Sequence, residues 1–199
     1  MDWRDGYEQA VARYEAGKAR ELDERQLVQL GNAAWAAGLC LLMDGDEAGA
    51  RDWLVRAAGR YRESWDAVAS SEAWGRPIAA MKALLIAGED ARGAAEWALD
   101  MGAPAAESPI GRYAGTLALL VLGRNEEATE VAATLGDPFP ADVAASLRAL
   151  AADDGDGFAA AVADVRKSYE NRDGYLEDIP VPDTALALEA LDKGRRLGV

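Results

Sequence analysis

The side chains that could act together chemically in this sequence are carboxylates, and there is no histidine to assist them. Three acidic groupings stand close in sequence: Asp44-Gly45-Asp46, the set Glu126, Glu127 and Glu130, and Asp153-Asp154-Gly155-Asp156. Neighbouring carboxylates can pass protons or hold a divalent cation. As a hand-shaped calcium loop, Asp44 and Asp46 would fill positions one and three, but Ala48 stands at five and Val55 at twelve. From Asp154, the fifth position is Phe158. Both loops fail that pattern and read instead as acidic caps feeding helix N-termini. The three glutamates share one predicted helix and read as a solvated face. Metal-dependent lyases with aspartate-rich helices set their acids on facing helices, and no spacing here reproduces that.

Without histidine, Ser-His-Asp and Cys-His catalysis and His-based metal sites are excluded. The single Cys40 can form neither an internal disulfide nor a zinc or iron–sulfur site. It lies in an apolar run and reads as a small buried hydrophobe. No G-x-x-x-x-G-K loop occurs, and no G-x-G-x-x-G opens a helix after a strand. The expectation is a protein without catalytic residues, metal or cofactor. The alternative is a carboxylate-dependent enzyme with a central helical-bundle cavity.

Aromatic and arginine side chains are the stronger functional lead. Tyr61-Arg62-Glu63-Ser64-Trp65 and Trp74-Gly75-Arg76 gather residue types that dominate binding hot spots. Relative to Pro109, Arg112 and Tyr113 stand where Ala80 and Met81 stand relative to Pro77, so they are candidates for the same groove. Tyr61, Trp65, Trp74, Arg76, Arg112 and Tyr113 are therefore the predicted partner-binding set. The competing reading packs these aromatics hairpin against hairpin. Trp35, Trp53 and Trp97 lie on apolar faces and read as core.

Charge narrows the partner. A net charge of −14 disfavours nucleic acid and anionic membrane surfaces, both of which require clustered Lys and Arg. It suits a protein or peptide partner of basic character, or simple solubility. Charged residues open the chain with no apolar stretch behind them, and the longest small-and-apolar run, Ala33 to Met43, is too short to span a bilayer. With a lone cysteine, a reducing cytoplasm is the expected setting. Only Lys18, Lys82, Lys167 and Lys193 are lysines; the other basic residues are Arg. That bias resembles a GC-rich genome, either an actinomycete or a salt-loving archaeon, toward which the acid excess leans; the alternative is an ordinary acidic bacterial protein.

The elements that must position these residues read as helix almost throughout. The 199 residues form one predicted domain, with a repeat-like core over about 24–170 and a loop and closing helix over 174–199. Leu27, Leu30, Ala34 and Leu41, with Val28, Trp35, Leu39 and Leu42, predict a helix buried on most sides. Asp46 caps the next, from about Glu47 to Ala69, and Ser70-Ser71-Glu72 marks a turn. Pro77 fits a first helical turn, and Ser108-Pro109 reads as cap and first residue. Gly45, Gly88, Gly102, Gly123 and Gly136 read as left-handed helix ends. Asp137-Pro138-Phe139-Pro140 predicts a rigid turn into a helix over about Pro140–Ala152. Asp153–Gly157 reads as loop, and Phe158, Ala161, Val162, Val165 and Tyr169 as an amphipathic stripe. Gly174–Pro182 is irregular, and Thr184 to about Arg196 is the closing helix. No stretch carries strand alternation, so about ten helices in antiparallel pairs and no sheet are expected.

A phrase recurs across the middle of the chain. Pro77-Ile78 leads through Leu84-Leu85-Ile86-Ala87 to Gly88; Pro109-Ile110 leads through Leu119-Leu120-Val121-Leu122 to Gly123. A recurrence of that length marks stacked helical hairpins. It resembles tetratricopeptide units, in which a Gly ends the first helix and small or apolar residues follow at fixed steps. Gly45 is followed by Ala50, Leu54 and Ala57; Gly123 by Ala128, Ala132 and Leu135. After Gly88, Asp100 breaks the pattern, and after Gly155, Asp164 does. The resemblance implies an all-α fold of antiparallel hairpins, stacked as an irregular solenoid or bundle, and a non-catalytic binding or scaffold role. A second resemblance rests on Phe158-Ala159-Ala160-Ala161-Val162, Tyr169, Tyr175-Leu176-Glu177-Asp178-Ile179-Pro180 and the ending Arg195-Arg196-Leu197-Gly198-Val199. These are similar to the polymorphic-toxin immunity family known as immunity protein 49. That similarity implies toxin neutralisation by binding, though no histidine precedes the irregular loop here and no family residue is carried over.

The acid excess makes one expectation measurable. If the source is halophilic, moving from molar to low salt should loosen the fold by self-repulsion, seen as lost helical circular dichroism. An unchanged spectrum would remove that origin.

Overall fold

The computed structural model of the chain describes residues 2–20, 22–68 and 73–197. The turn expected at Ser70-Ser71-Glu72 and the terminal Gly198-Val199 lie outside them. The fold is all-α: among the described residues there are ten α-helices and no strand. They are α1 (Trp3–Lys18), α2 (Glu24–Asp44), α3 (Glu47–Ala67), α4 (Gly75–Ala87), α5 (Arg92–Asp100), α6 (Pro109–Val121), α7 (Asn125–Ala133), α8 (Ala141–Ala151), α9 (Gly155–Glu170) and α10 (Asp183–Leu197). Short 3-10 turns occupy Ala103–Ala105 and Leu176–Asp178.

Four hairpins, α2/α3, α4/α5, α6/α7 and α8/α9, are joined by one backbone device. The first or second residue after each first helix is left-handed: Gly45 (φ 89°), Gly88 (φ 69°), Gly123 (φ 71°) and Asp153 (φ 56°). Its N–H donates to the carbonyl three residues back, at 3.1–3.3 Å, and the next N–H donates to the carbonyl five back, at 2.9 Å. These bonds satisfy carbonyls that a helix end leaves without partners, and glycine makes the positive φ easy. Asp46 and Asp154 then cap the following helices by accepting from Gly49 and Gly157 N–H. Ser108 caps α6 the same way, with Pro109 as the first helical residue.

The fourth turn corrects the repeat register. Its left-handed residue is Asp153, and Gly155 already belongs to α9, so Asp153–Gly157 is mostly helix rather than loop. Counted from Asp153, the small-or-apolar steps fall on Phe158, Val162 and Val165, all buried, as are Ala50, Leu54, Ala57, Ala128, Ala132 and Leu135. After Gly88 the turn runs longer, and Ala95 and Ala98 face inward instead. Gly136 is not left-handed, because α7 stops at Ala133 and Thr134 caps it. Pro77 stands third in α4, whose first residue is Gly75. Small residues permit close approach between helices. A Cβ on Gly38 would meet Leu54 at 2.7 Å, and one on Gly115 would meet the backbone of Pro104 at 2.6 Å.

The core falls into two clusters. One joins α1, α2, α3 and parts of α4 and α5 around Leu30, Leu39, Leu54 and Trp97. The other joins α4 to α9 around Met81, Leu117, Leu120, Leu147 and Phe158. Helix α2 is, among the described helices, the one long and apolar enough to cross a membrane by length and composition; 67% of its apolar window is buried inside the protein. The wide apolar face expected of it is spent on α1 and α3.

Two substitutions test the turn device. Asp153→Gly should raise stability by about 1 kcal/mol by relieving a left-handed non-glycine. Gly115→Ala should lower it by about 2 kcal/mol, since the backbone it meets cannot swing aside. Urea unfolding followed by circular dichroism measures both.

Candidate functional site

The face of α4 is covered by the chain's own closing segment, which lies in the groove between α4 and α9. After α9 the backbone turns through residues 171–182 and returns to α4, so that α10 packs on both α4 and α9. Ile179 and Val181 enter the first core cluster. Ala185, Leu188 and Leu191 enter the second. The segment therefore lies across the seam between the two halves of the core.

Polar groups fix its position. Lys82, the one charge in the apolar run Ile78–Ala87 of α4, forms an ion pair with Asp183 and donates to Thr184 Oγ1 at 3.0 Å. Both charged side chains are largely shielded, 13% and 15% exposed. The Tyr169 hydroxyl donates to the Ile179 carbonyl at 3.1 Å, and Arg13 pairs with Glu177 at 3.2 Å. Arg166 pairs with Glu189. Burial pushes the phenols of Tyr61, Tyr113 and Tyr169 upward, and the Asp183 carboxylate adds to the shift in all three. For Tyr61, Glu177 contributes more than Asp183 does. Tyr169 is pushed up to about 12.

The six predicted partner-binding residues sit at contacts between the fold's own elements and do not line one open surface. Tyr61 is buried, its ring fitting against Gly31 and its hydroxyl donating to Asn32 Oδ1 at 2.8 Å. Trp65 is half-buried against Trp97, with ring centres 5.9 Å apart. Trp74 is buried, its indole close against Gly111. Tyr113 is buried against Phe139. Arg76 donates to the Ser64 and Val68 carbonyls and pairs with Glu24. Arg112 donates to the Ala106 and Glu107 carbonyls. Tyr61 packs within its own hairpin and the other aromatics between elements of different hairpins, because their area is worth more in the core than in water.

The two arginines belong to a wider pattern. Arg148 donates to the Ala132 and Leu135 carbonyls at the end of α7, and Arg195 to the Leu150 carbonyl at the end of α8. A planar guanidinium reaches two acceptors at once and suits the negative end of a helix dipole.

Sequence reasoning did not single out Lys82, Asp183 or Tyr169 for the groove. Lys82 carried a signal, as the one charge in the apolar run from Ile78 to Ala87. Trp53 was read as core but is half-buried at the outer edge of α3, edge-on to Tyr7 and Tyr14, with the Arg56 guanidinium 4.4 Å from its ring centre.

Two hollows contain carboxylates. One, of about 560 Å³, is lined by Asp142 and Asp164 together with Lys167, Ser168 and Arg172. The other, of about 260 Å³, has Asp153, Asp154 and Asp192. In the latter, Asp154 is occupied capping α9 and Asp192 pairs with Arg196 at 2.8 Å. Among the described residues no three His, Cys, Asp or Glu side chains gather as ligands for a metal ion. Cys40 is fully buried, and burial pushes its thiol up, away from the reactive thiolate.

In comparisons with known proteins, no family model matches the chain, no curated protein matches its sequence and no solved structure matches its fold.

The buried phenols predict an alkaline limit. Their pKa values lie above those of the unfolded chain, so stability is complete below about pH 10 and falls as pH rises toward and through the folded values. Phenolate absorbance should therefore rise in two stages, with Tyr61, Tyr113 and Tyr169 ionising only as helical circular dichroism is lost. A single smooth titration with the helices intact would refute this.

Proposed function

We propose that this chain is a non-catalytic protein-binding module of tetratricopeptide-like type, acting in the cytoplasm on a protein or peptide of basic character. Neutralisation of a toxin, as an immunity protein does, is one concrete form of that role. The observation that carries the reading is the seating of α10: an amphipathic helix lies against α4, the first helix of one hairpin, and α9, the second helix of another, an arrangement of the helix-in-groove kind by which a partner helix is taken. Charge supports the polarity of the partner, because a body at −14 accelerates encounter with a cationic surface.

A carboxylate-dependent enzyme is the competing reading, and the hollow with Asp153, Asp154 and Asp192 is the place it would use. Commitment of two of those acids to a cap and an ion pair weighs against it.

The test is reconstitution. A protein co-purifying in fixed ratio from native lysate should, once both are purified, rebind with an association rate that falls about tenfold or more as salt rises. Turnover of a substrate that Asp192→Asn abolishes, with circular dichroism unchanged, would favour the enzyme instead.

A further inference from the structure

The groove under α10 is built like a docking site, and its occupant is built like a removable one. The seat is formed by residues far earlier in the chain: Lys82 and Thr184 are 102 positions apart. The connection that delivers the occupant is strained, with Glu177 and Asp178 both left-handed (φ 54° and 58°) and neither a glycine. Strain of this kind persists only where the surroundings hold it, and here they do so through Arg13 on Glu177 and Tyr169 on the Ile179 carbonyl. Releasing α10 would relax that strain and set against it the loss of the ion pairs at Lys82, Arg166 and Arg13 and of the apolar stripe from Ile179 to Leu191. By contrast, the core of α2 has no such release, since its residues from Ala33 to Leu41 are all buried.

We propose that α10 is a tethered stand-in for the partner helix, covering the α4 groove until a competing helix displaces it. The proposal rests on the binding reading above and names the partner's chemistry from the seat. An incoming helix would place a carboxylate and a hydroxyl in its first turn, to meet Lys82 as Asp183 and Thr184 do. Apolar side chains would follow at the spacing of Ala185, Leu188 and Leu191. Ahead of it would come a short extended stretch with two β-branched residues, as Ile179 and Val181 provide. The overall negative charge remains elsewhere on the body and leaves the partner's outer face free to be basic.

The protein carries its own control for the test. Cys40, fully buried in α2, reports opening of the main core. In full-length Val181→Cys, a second thiol sits at a fully buried position of the closing segment. Labelling with a maleimide, resolved by mass spectrometry, should modify the V181C thiol about a hundredfold faster than Cys40, as separate opening of a low-stability unit requires. Adding Lys82→Ala should speed the V181C thiol about tenfold further without changing Cys40. Because Lys82→Ala alters the seat, Leu188→Asp alters the occupant instead. That variant should bind a fluorescein-labelled peptide of residues 179–193 at least about tenfold more tightly than the wild type does, by anisotropy. Two thiols reacting in step would overturn the proposal. So would folded Leu188→Asp failing to take the peptide, or light scattering showing that release produces dimers exchanging α10. These readouts need no natural partner, so failure to find one would sink the binding reading while leaving them intact.

Discussion

Largely shielded charges that must meet across half of the chain impose the strongest constraint on this fold. Lys82 stands on an apolar helix, and a cation there is tolerable only with a carboxylate beside it. Asp183 supplies that carboxylate at the start of α10, which sets where the helix begins and which of its faces meets α4. A slip by one turn would leave Lys82 against apolar surface and move Leu188 out of the core. The burial of Ile179, Val181, Ala185 and Leu191 depends on the same register. The pair therefore acts less as a source of stability than as a selector among placements that apolar contact alone would tolerate.

Two kinds of joint organise the remainder. Within a hairpin, the chain closes on itself through a left-handed residue and needs no outside partner. At joints between hairpins the carbonyls at the end of a helix are answered by an arginine from the following helix: Arg76 for α3 and Arg148 for α7. A lysine presents a point charge rather than a fork and would satisfy fewer of them. Part of the preference for Arg over Lys thus has a structural use, whatever the base composition of the source.

The architecture was legible because helical period, caps and glycine ends agree with one another along the chain. Gly45, Gly88 and Gly123 declared their turns. The turn at Asp153 was hidden, since a left-handed aspartate looks like any acidic loop residue and Gly155, two positions on, looked more suitable. The candidate site was legible only in composition. Trp74 and Tyr113 are hot-spot types, but their local sequence does not say whether a neighbouring hairpin or a foreign chain will cover them. What covers the groove is α10, and its seat on α4 is a contact between distant residues that no local periodicity encodes. Arg76 and Arg112 were read as surface for the same reason: the carbonyls they hold become available only once the preceding helix ends nearby.

The long reach from Lys82 to Thr184 also has an order in time. The hairpins are local structures and can form as soon as each emerges during synthesis, whereas the α4 groove must wait until residue 191 has appeared. At roughly 5–20 residues per second, that leaves an apolar trough uncovered for several seconds on every nascent chain. During that interval the trough is open to any amphipathic helix that resembles α10, including that of a neighbouring copy.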